Sequence, residues 1–394
     1  MTSDSDWRSS LTSSDRYDTI QAIKSALEQS NAPISASQSS AFAIENEAYK
    51  TSTSRGQYDE ACRKLPGQKS PDPLQSLLES TDSADESPPE SPGITIGSYH
   101  HCHYIDTGVT ADVYRSGVVA LKVIVETSVN KEPHNPIREA KILRLLKKPC
   151  IPLLETFRDQ EQQFVLAFPF MPMNLQTLLE QGHIPRSRIQ KYFTDIFSAL
   201  NHIHEHGIIH RDVKPSAILL ESVDGPAYLS DFGSSWHPEL SAYTEPAHDK
   251  ILDIGTGSYR SPEALFGNKS YGTPVDMWGA GAMLAECCRD PPRQLFESRA
   301  AHEDGNQLGL ILSIFKTIGS PTRESWPEAA SFKTPPFDMY RVFEGRTWED
   351  ILSDIDEDFR ELVTALVVYD SSSRATAAQA LQFRSSNLQG RTFG

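Results

Sequence analysis

Residues 210–220 read His210-Arg211-Asp212-Val213-Lys214-Pro215-Ser216-Ala217-Ile218-Leu219-Leu220, and the rest of the chain reads as support for them. An aspartate presented on a short loop, with a lysine two residues later, suits the movement of a phosphoryl group. The carboxylate of Asp212 can orient and deprotonate an attacking hydroxyl while Lys214 balances charge on the moving phosphate. Downstream come a turn at Asp224-Gly225-Pro226, an apolar Ala227-Tyr228-Leu229, and then Asp231-Phe232-Gly233. A second carboxylate there is placed to hold a divalent cation that bridges phosphates.

Order and spacing of these motifs resemble the catalytic core of the eukaryotic protein kinases, a far more specific signal than a lone glycine motif. The resemblance covers about residues 94–385. It implies an α+β, two-lobed kinase fold: a small β-rich N-lobe with one helix over 94–170, a larger α-helical C-lobe over 171–385, and a tail at 386–394. It also implies ATP and Mg2+ as cofactors, with Asp231 as the metal ligand. One residue breaks the family's H-R-D-x-K-P-x-N run. Its eighth position is an asparagine that ligates the second magnesium, and here it is Ala217, whose methyl group has no lone pair.

Composition narrows the remaining possibilities. A formal net charge of −16 argues against a nucleic-acid or acidic-membrane binder, because phosphate surfaces demand clustered Lys and Arg. The 5 cysteines fall in no metal-ligand spacing and are odd in number, which points to a reducing compartment, and so to the nucleus, the cytoplasm or both. Adjacent Cys287-Cys288 lie in an apolar helical stretch and read as core packing. No run of about twenty apolar residues and no signal peptide suggests membrane insertion or secretion. Residues 1–93 are dominated by Ser, Thr, acidic residues, Gln and Pro, and read as a disordered region that cannot bury enough apolar surface to offset its ordering entropy. Within it Ile20, Ile23 and Leu27 share a helical face, either a docking helix or a transient one.

From Ile94 the pattern turns to strands. Val118-Val119-Ala120-Leu121-Lys122 matches the family's Val-Ala-x-Lys, so Lys122 is expected to grip the nucleotide's α- and β-phosphates. In the template G-x-G-x-x-G-x-V, Val113 takes the last position and Asp106, Gly108 and Ala111 stand at the three glycines. Only Gly108 survives, and its backbone amide is expected to approach phosphate. The loop should be stiffer than usual, and Asp106 adds a repelling charge. Glu139, on a helix opening at Pro136, is the expected partner of Lys122. By the same resemblance Phe168 is the gatekeeper and Met171 the backbone partner of adenine, with Val113, Ala120 and Leu219 sandwiching the ring.

Ile189, Tyr192, Phe193, Ile196, Leu200 and Ile203 keep a period near 3.6 and mark a core helix leading to the catalytic loop. Gly255-Thr256-Gly257-Ser258-Tyr259-Arg260-Ser261-Pro262-Glu263 resembles the family's peptide-binding loop. There Thr256 is expected to bond Asp212 and Lys214, and Glu263 to pair with Arg374. Asp276 should brace the catalytic loop. Ile137-Arg138-Glu139 and the segment from Ile314 to Pro327 resemble the cyclin-dependent branch, in which the Ile137-Arg138 region faces a cyclin-like partner. Arg211, joined by Arg138, is where the family gathers an activation-segment phosphate. The third basic position is Trp236, however, and Ile251 stands where that branch carries its activating threonine, so the phosphate is expected to be dispensable.

Two readings follow. One is a Ser/Thr protein kinase of the cyclin-dependent branch acting on protein hydroxyls, reminiscent of fungal single-subunit kinases that activate cyclin-dependent kinases, which would then be its substrates. The other is a pseudokinase scaffold that keeps the fold without turnover, favoured by Ala217 and the two lost glycines. Retained Lys122, Glu139, Asp212, Lys214 and Asp231 favour the kinase.

Overall fold

The computed structural model describes residues 93–108, 110–125, 132–298, 307–337 and 341–384, together with 54–63 and positions 19, 23, 44, 48, 49 and 52. The chain divides into two units, residues 1–87 and 88–394. In the first, helix α1 (Arg55–Arg63) buries Tyr58 and Cys62, one turn apart, with Ile23 and Ala48 completing a small apolar cluster. Tyr49 meets the Tyr58 ring edge-on at 6.4 Å. The described residues of this region thus include one short helix and a small apolar cluster. Composition averaged over 93 residues hides a few apolar side chains that meet one another. Of the three residues expected to share a helical face, Ile23 is buried, whereas Ile20 and Leu27 lie outside the described residues.

The second unit begins with a six-stranded antiparallel sheet in the order β1-β2-β3-β4-β6-β5. Its strands are β1 (Ile94–Ile96), β2 (Tyr99–Thr107), β3 (Ala111–Ser116), β4 (Val119–Ile124), β5 (Glu155–Arg158) and β6 (Phe164–Pro169). Ser116 pairs with Val119, so Gly117-Val118 form a two-residue hairpin loop, and Gly117 supplies the left-handed φ of +59° that such loops require. Side-chain alternation divides the sheet. Leu121, Val123, Val165 and Ala167 pack with Ile96 and Cys102 on one face. The opposite face carries Ala120 and Lys122 of β4, with Val113 paired to Lys122 and Phe168 paired to Ala120. Helix α2 (Pro136–Leu145) starts at Asn135, whose side chain accepts from the Arg138 amide at 3.0 Å, and Pro136 fits the first helical turn.

The helical part opens with β7 (Met173–Asn174) and α3 (Leu175–Gln181), capped reciprocally by Asn174 and Thr177. Helix α4 (Arg186–Glu205) buries all six residues whose spacing marks its core face, and adds Phe197 and Ala199. It leads into the catalytic loop, followed by the short ladder of β8 (Ile218–Leu220) and β9 (Ala227–Leu229), which pairs with β7. Beyond the one-turn helix α5 (Pro262–Leu265), helix α6 (Pro274–Cys287) is buried on every side from Val275 onward, as its largely apolar composition requires. A Cβ on Gly279 would stand 2.8 Å from the Val213 carbonyl, so glycine here lets α6 press against the catalytic loop. Helices α7 (Leu308–Ile318), α8 (Trp348–Ile351), α9 (Glu357–Leu366) and α10 (Ala377–Ala380) close the unit. Trp278 stacks on Phe296 at 5.4 Å and Trp326 on Tyr369 at 5.2 Å in their shared core.

Among the described residues no helix is long and apolar enough to cross a membrane. All five cysteines are free, and Cys287 is fully buried, in keeping with packing.

Candidate active site

Three loops, helix α2 and strand β4 bring the candidate residues together. Lys122 on β4 reaches Glu139 of α2, with its Nζ donating at 2.9 Å to Oε1 and 3.0 Å to Oε2. The same ammonium donates to Asp231 Oδ1 at 3.0 Å. Burial opposes the charge on Lys122, but the carboxylates of Asp231 and Glu139 outweigh it and raise its pKa. Lys122 in turn holds the Asp231 carboxyl well below the usual carboxylate range. Burial pushes the Glu139 carboxyl up against the pull of Lys122. Helix α2 is also tied to the Asp231 loop through its own cap, since the Asn135 amide donates to the Gly233 carbonyl at 3.2 Å. Asp231 sits in the left-handed region at φ +59°, as does Arg211 at +74°. Two non-glycine residues in that region within one site are a sign of strain held for function.

Asp212 belongs to a closed triangle. Lys214 Nζ donates to Asp212 Oδ2 at 2.6 Å and to Thr256 Oγ1 at 3.0 Å, and the Thr256 hydroxyl donates to Asp212 Oδ1 at 2.7 Å. Asp276, in the first turn of α6, anchors the loop beneath. It accepts the His210 amide at 2.9 Å and the Arg211 amide at 2.8 Å, and His204 Nε2 lies 2.8 Å from the same carboxylate. His210 lies with Nε2 2.8 Å from the Ser230 carbonyl and its ring edge-on to Phe232, which links the Asp212 loop to the Asp231 loop. Glu263 and Arg374 form the expected ion pair, fully buried at 2.7 Å.

Val113, Ala120, Phe168, Met171 and Leu219 are all partly exposed, whereas their strand neighbours Leu121, Ala167, Ile218 and Leu220 are buried. Register puts Val113, Ala120 and Phe168 on the sheet face that bears Lys122. Part-exposed apolar groups beside a buried ion pair suit a flat aromatic ring with a charged tail.

The Gly108 amide donates to the Ala111 carbonyl at 2.7 Å, closing a short hairpin. A Cβ there would meet only Ala111 O, at 3.5 Å, so the conformation does not demand glycine. Asp106 turns its carboxylate onto the Thr107 amide at 2.8 Å.

For a divalent cation the donor set is partial. Asp231 offers a half-exposed, firmly ionised carboxylate, which suits a hard cation. Ala217 stands where a second ligand would project, and it is buried with only its backbone engaged: the Ala217 carbonyl accepts both the Ser230 amide (2.9 Å) and the Ser230 hydroxyl (2.8 Å). Among the described residues no three His, Cys, Asp or Glu side chains gather as a metal cluster. The residues present fit one cation.

Both arginines expected to gather a phosphate are engaged by carboxylates. The Arg211 guanidinium forms a bidentate pair with Glu245, and the Arg138 guanidinium pairs with Glu132 at 2.6 and 2.8 Å. Neither glutamate was legible from motif spacing, since both contacts are made by loops that carry no signature of their own.

A two-lobed fold with a Lys–Glu pair, an Asp-Phe-Gly loop and an aspartate–lysine–threonine triangle defines a protein kinase. A family model, the protein kinase domain, matches residues 103–384, and the chain belongs to that family, on its cyclin-dependent kinase-like branch. It is 34% identical over 260 residues to Serine/threonine-protein kinase csk1 of Schizosaccharomyces pombe, covering 64% of this chain and 80% of that one. It is 30% identical over 299 residues to Cyclin-dependent kinase 7 of Carassius auratus, covering 73% and 82% respectively. The chain is accordingly an ATP-dependent serine/threonine protein kinase, and its family uses ATP and Mg2+ on protein substrates.

Proposed function

We propose that the protein transfers the ATP γ-phosphoryl group to serine or threonine hydroxyls of cyclin-dependent kinases, activating them. The observation that carries the transfer itself is the Asp212–Lys214–Thr256 triangle. In it Asp212 orients the acceptor hydroxyl and takes its proton, Lys214 steadies charge on the transferring phosphoryl, and Thr256 fixes both against the peptide-binding loop. Lys122, held by Glu139, grips the triphosphate. Val113, Ala120, Phe168 and Leu219 enclose the adenine, and the Met171 backbone faces its edge. Asp231 would hold the cation, which neutralises phosphate charge when bound. With Gly108's amide engaged and the site fitting one cation, more of the phosphate binding falls to Lys122.

The choice of cyclin-dependent kinases as substrates rests on the resemblance to single-subunit activating kinases, on the relatives' branch, and on Ile251 standing where an activating threonine would be. A cyclin-like partner would meet α2 through Ile137, because Arg138 is occupied by Glu132.

The test is phosphate incorporation from labelled ATP into a panel of purified cyclin-dependent kinases and generic peptides, with Asp212→Asn as control. Labelling of the kinases on threonine, lost in the variant, is expected. Labelling of generic peptides alone would overturn the substrate assignment. Binding of nucleotide without any transfer would mark the chain as a scaffold.

A further inference from the structure

Arg211 immediately precedes the proposed base Asp212, so whatever fixes its side chain also fixes the loop that presents that base. Its guanidinium is fully buried, with 0% side-chain exposure against 1% for Glu245. Nη1 donates to Glu245 Oε2 at 3.0 Å and Nη2 to Oε1, and Nη1 also reaches the Ser234 carbonyl at 3.4 Å. Glu245 is bound on every other side as well. Its Oε1 accepts the Ile251 amide at 2.7 Å, its carbonyl accepts the Trp236 indole N–H at 2.8 Å, and its amide donates to the Ser241 carbonyl at 2.8 Å. One residue therefore ties together the start of the activation segment, its middle and the catalytic loop. Trp236 lends its ring to Lys250, whose ammonium lies 4.8 Å from the centroid. On the other side Thr244 Oγ1 donates at 3.0 Å to Glu132, the carboxylate that holds Arg138.

A phosphate in an activation segment acts by offering oxygens and negative charge to arginines, which orders the segment. Here that chemistry is supplied by a carboxylate already in the chain. A bidentate carboxylate–guanidinium pair shares the fork geometry, and here both partners of the pair are buried. We propose that Glu245 is a built-in substitute for activation-segment phosphorylation, a positioning residue that holds Arg211, and through it Asp212, in the transfer-ready arrangement without modification. The inference rests on the kinase reading above.

The experiment uses the full chain in two arms. In the first, wild-type protein is treated with a broad-specificity phosphatase until intact mass shows no phosphate, and kcat on a peptide substrate is compared before and after. No more than a twofold change is expected. In the second, Glu245→Gln keeps the side-chain shape and removes the charge. Its kcat should fall by about 10²-fold, the cost of misplacing a reacting group by ~1 Å, with KM for ATP unchanged. Hydrogen exchange should rise over residues 241–251 but not over α2. A purely structural glutamate would instead lower the amount of folded protein and leave kcat per folded molecule intact. Loss of wild-type activity on dephosphorylation, with phosphate mapped to Ser241, Tyr243 or Thr244, would overturn the proposal, and so would wild-type kcat in the variant. Should the variant not fold, the phosphatase arm decides alone. Absence of transfer by untreated wild type is a separate result, and it would fail the kinase reading rather than this one.

Discussion

Replacing Asp276 by asparagine tests how the catalytic loop is held. The wild-type carboxylate is buried and satisfies the His210 and Arg211 amides, with His204 Nε2 beside it. Asparagine has nearly the same shape but only one acceptor oxygen. If that oxygen faces His210 and His204, its NH2 group faces the Arg211 N–H, donor against donor. One unpaired buried N–H costs ~1–3 kcal/mol, and exchanging a charged acceptor for a neutral one removes about 1 kcal/mol more. A destabilisation of ~3 kcal/mol follows. At roughly 2–4 °C per kcal/mol for a domain of this size, thermal denaturation should show the midpoint falling by ~6–12 °C. The orphaned amide belongs to the residue next to Asp212, so kcat should fall by ~10²-fold, while KM for ATP, set by other elements, should hold. Stopped-flow or steady-state peptide phosphorylation below the new midpoint separates the two effects. A variant with the wild-type midpoint and kcat within twofold would refute the view that these hydrogen bonds position the loop.

Lys122→Met should abolish transfer and also expose a pH signature. It leaves Glu139 buried beside the Asp231 carboxylate without its cation, which breaks a buried pair at a cost of ~3–5 kcal/mol. Burial then keeps the Glu139 pKa above its unfolded value of ~4.3, so the folded state prefers the protonated carboxyl. Stability is accordingly lost as pH rises above ~4.3, and the melting deficit against wild type should be larger at pH 8 than at pH 5; a deficit that shrinks with rising pH would contradict this. Ala217→Asn supplies the oxygen that a second cation lacks. A gain in kcat of about tenfold, ~1.4 kcal/mol, is expected at saturating Mg2+ but not at low Mg2+, and a titration showing no gain at any concentration would mean that the single-cation site is not what limits turnover.

The parts of this molecule legible in the sequence are those whose chemistry is written at short spacing. Asp212 and Lys214 share one loop, so their roles follow from two positions, and the triangle with Thr256 needs only the family's loop order. The 3.6-residue period of α4 is a local property, and all six expected core positions are buried. Glu139, Glu263 and Arg374 were placed by resemblance, because an ion pair between positions 263 and 374 leaves no trace in spacing. Glu245 was invisible for a related reason. It lies in a stretch with no periodicity, and only the folded path of the activation segment carries it to Arg211. At Gly108 the sequence signals conformational freedom but not which acceptor the hairpin presents to its amide. Helix α1 leaves little mark in the sequence because four apolar residues scattered between positions 23 and 62 vanish in an average.

The departures from the family pattern share a physical direction. At several of them, a group close to where nucleotide or phosphate would lie has a partner inside the chain. The Gly108 amide is spent on Ala111, Trp236 replaces a base and bonds the Glu245 carbonyl, and the Glu245 carboxylate occupies Arg211. Contacts of this kind are internal to the chain, and they hold the loops bearing Asp212 and Asp231. Asp212, bonded to Lys214 and Thr256 on a loop whose His210 and Arg211 amides are held by Asp276, thus has its geometry set by contacts within the chain.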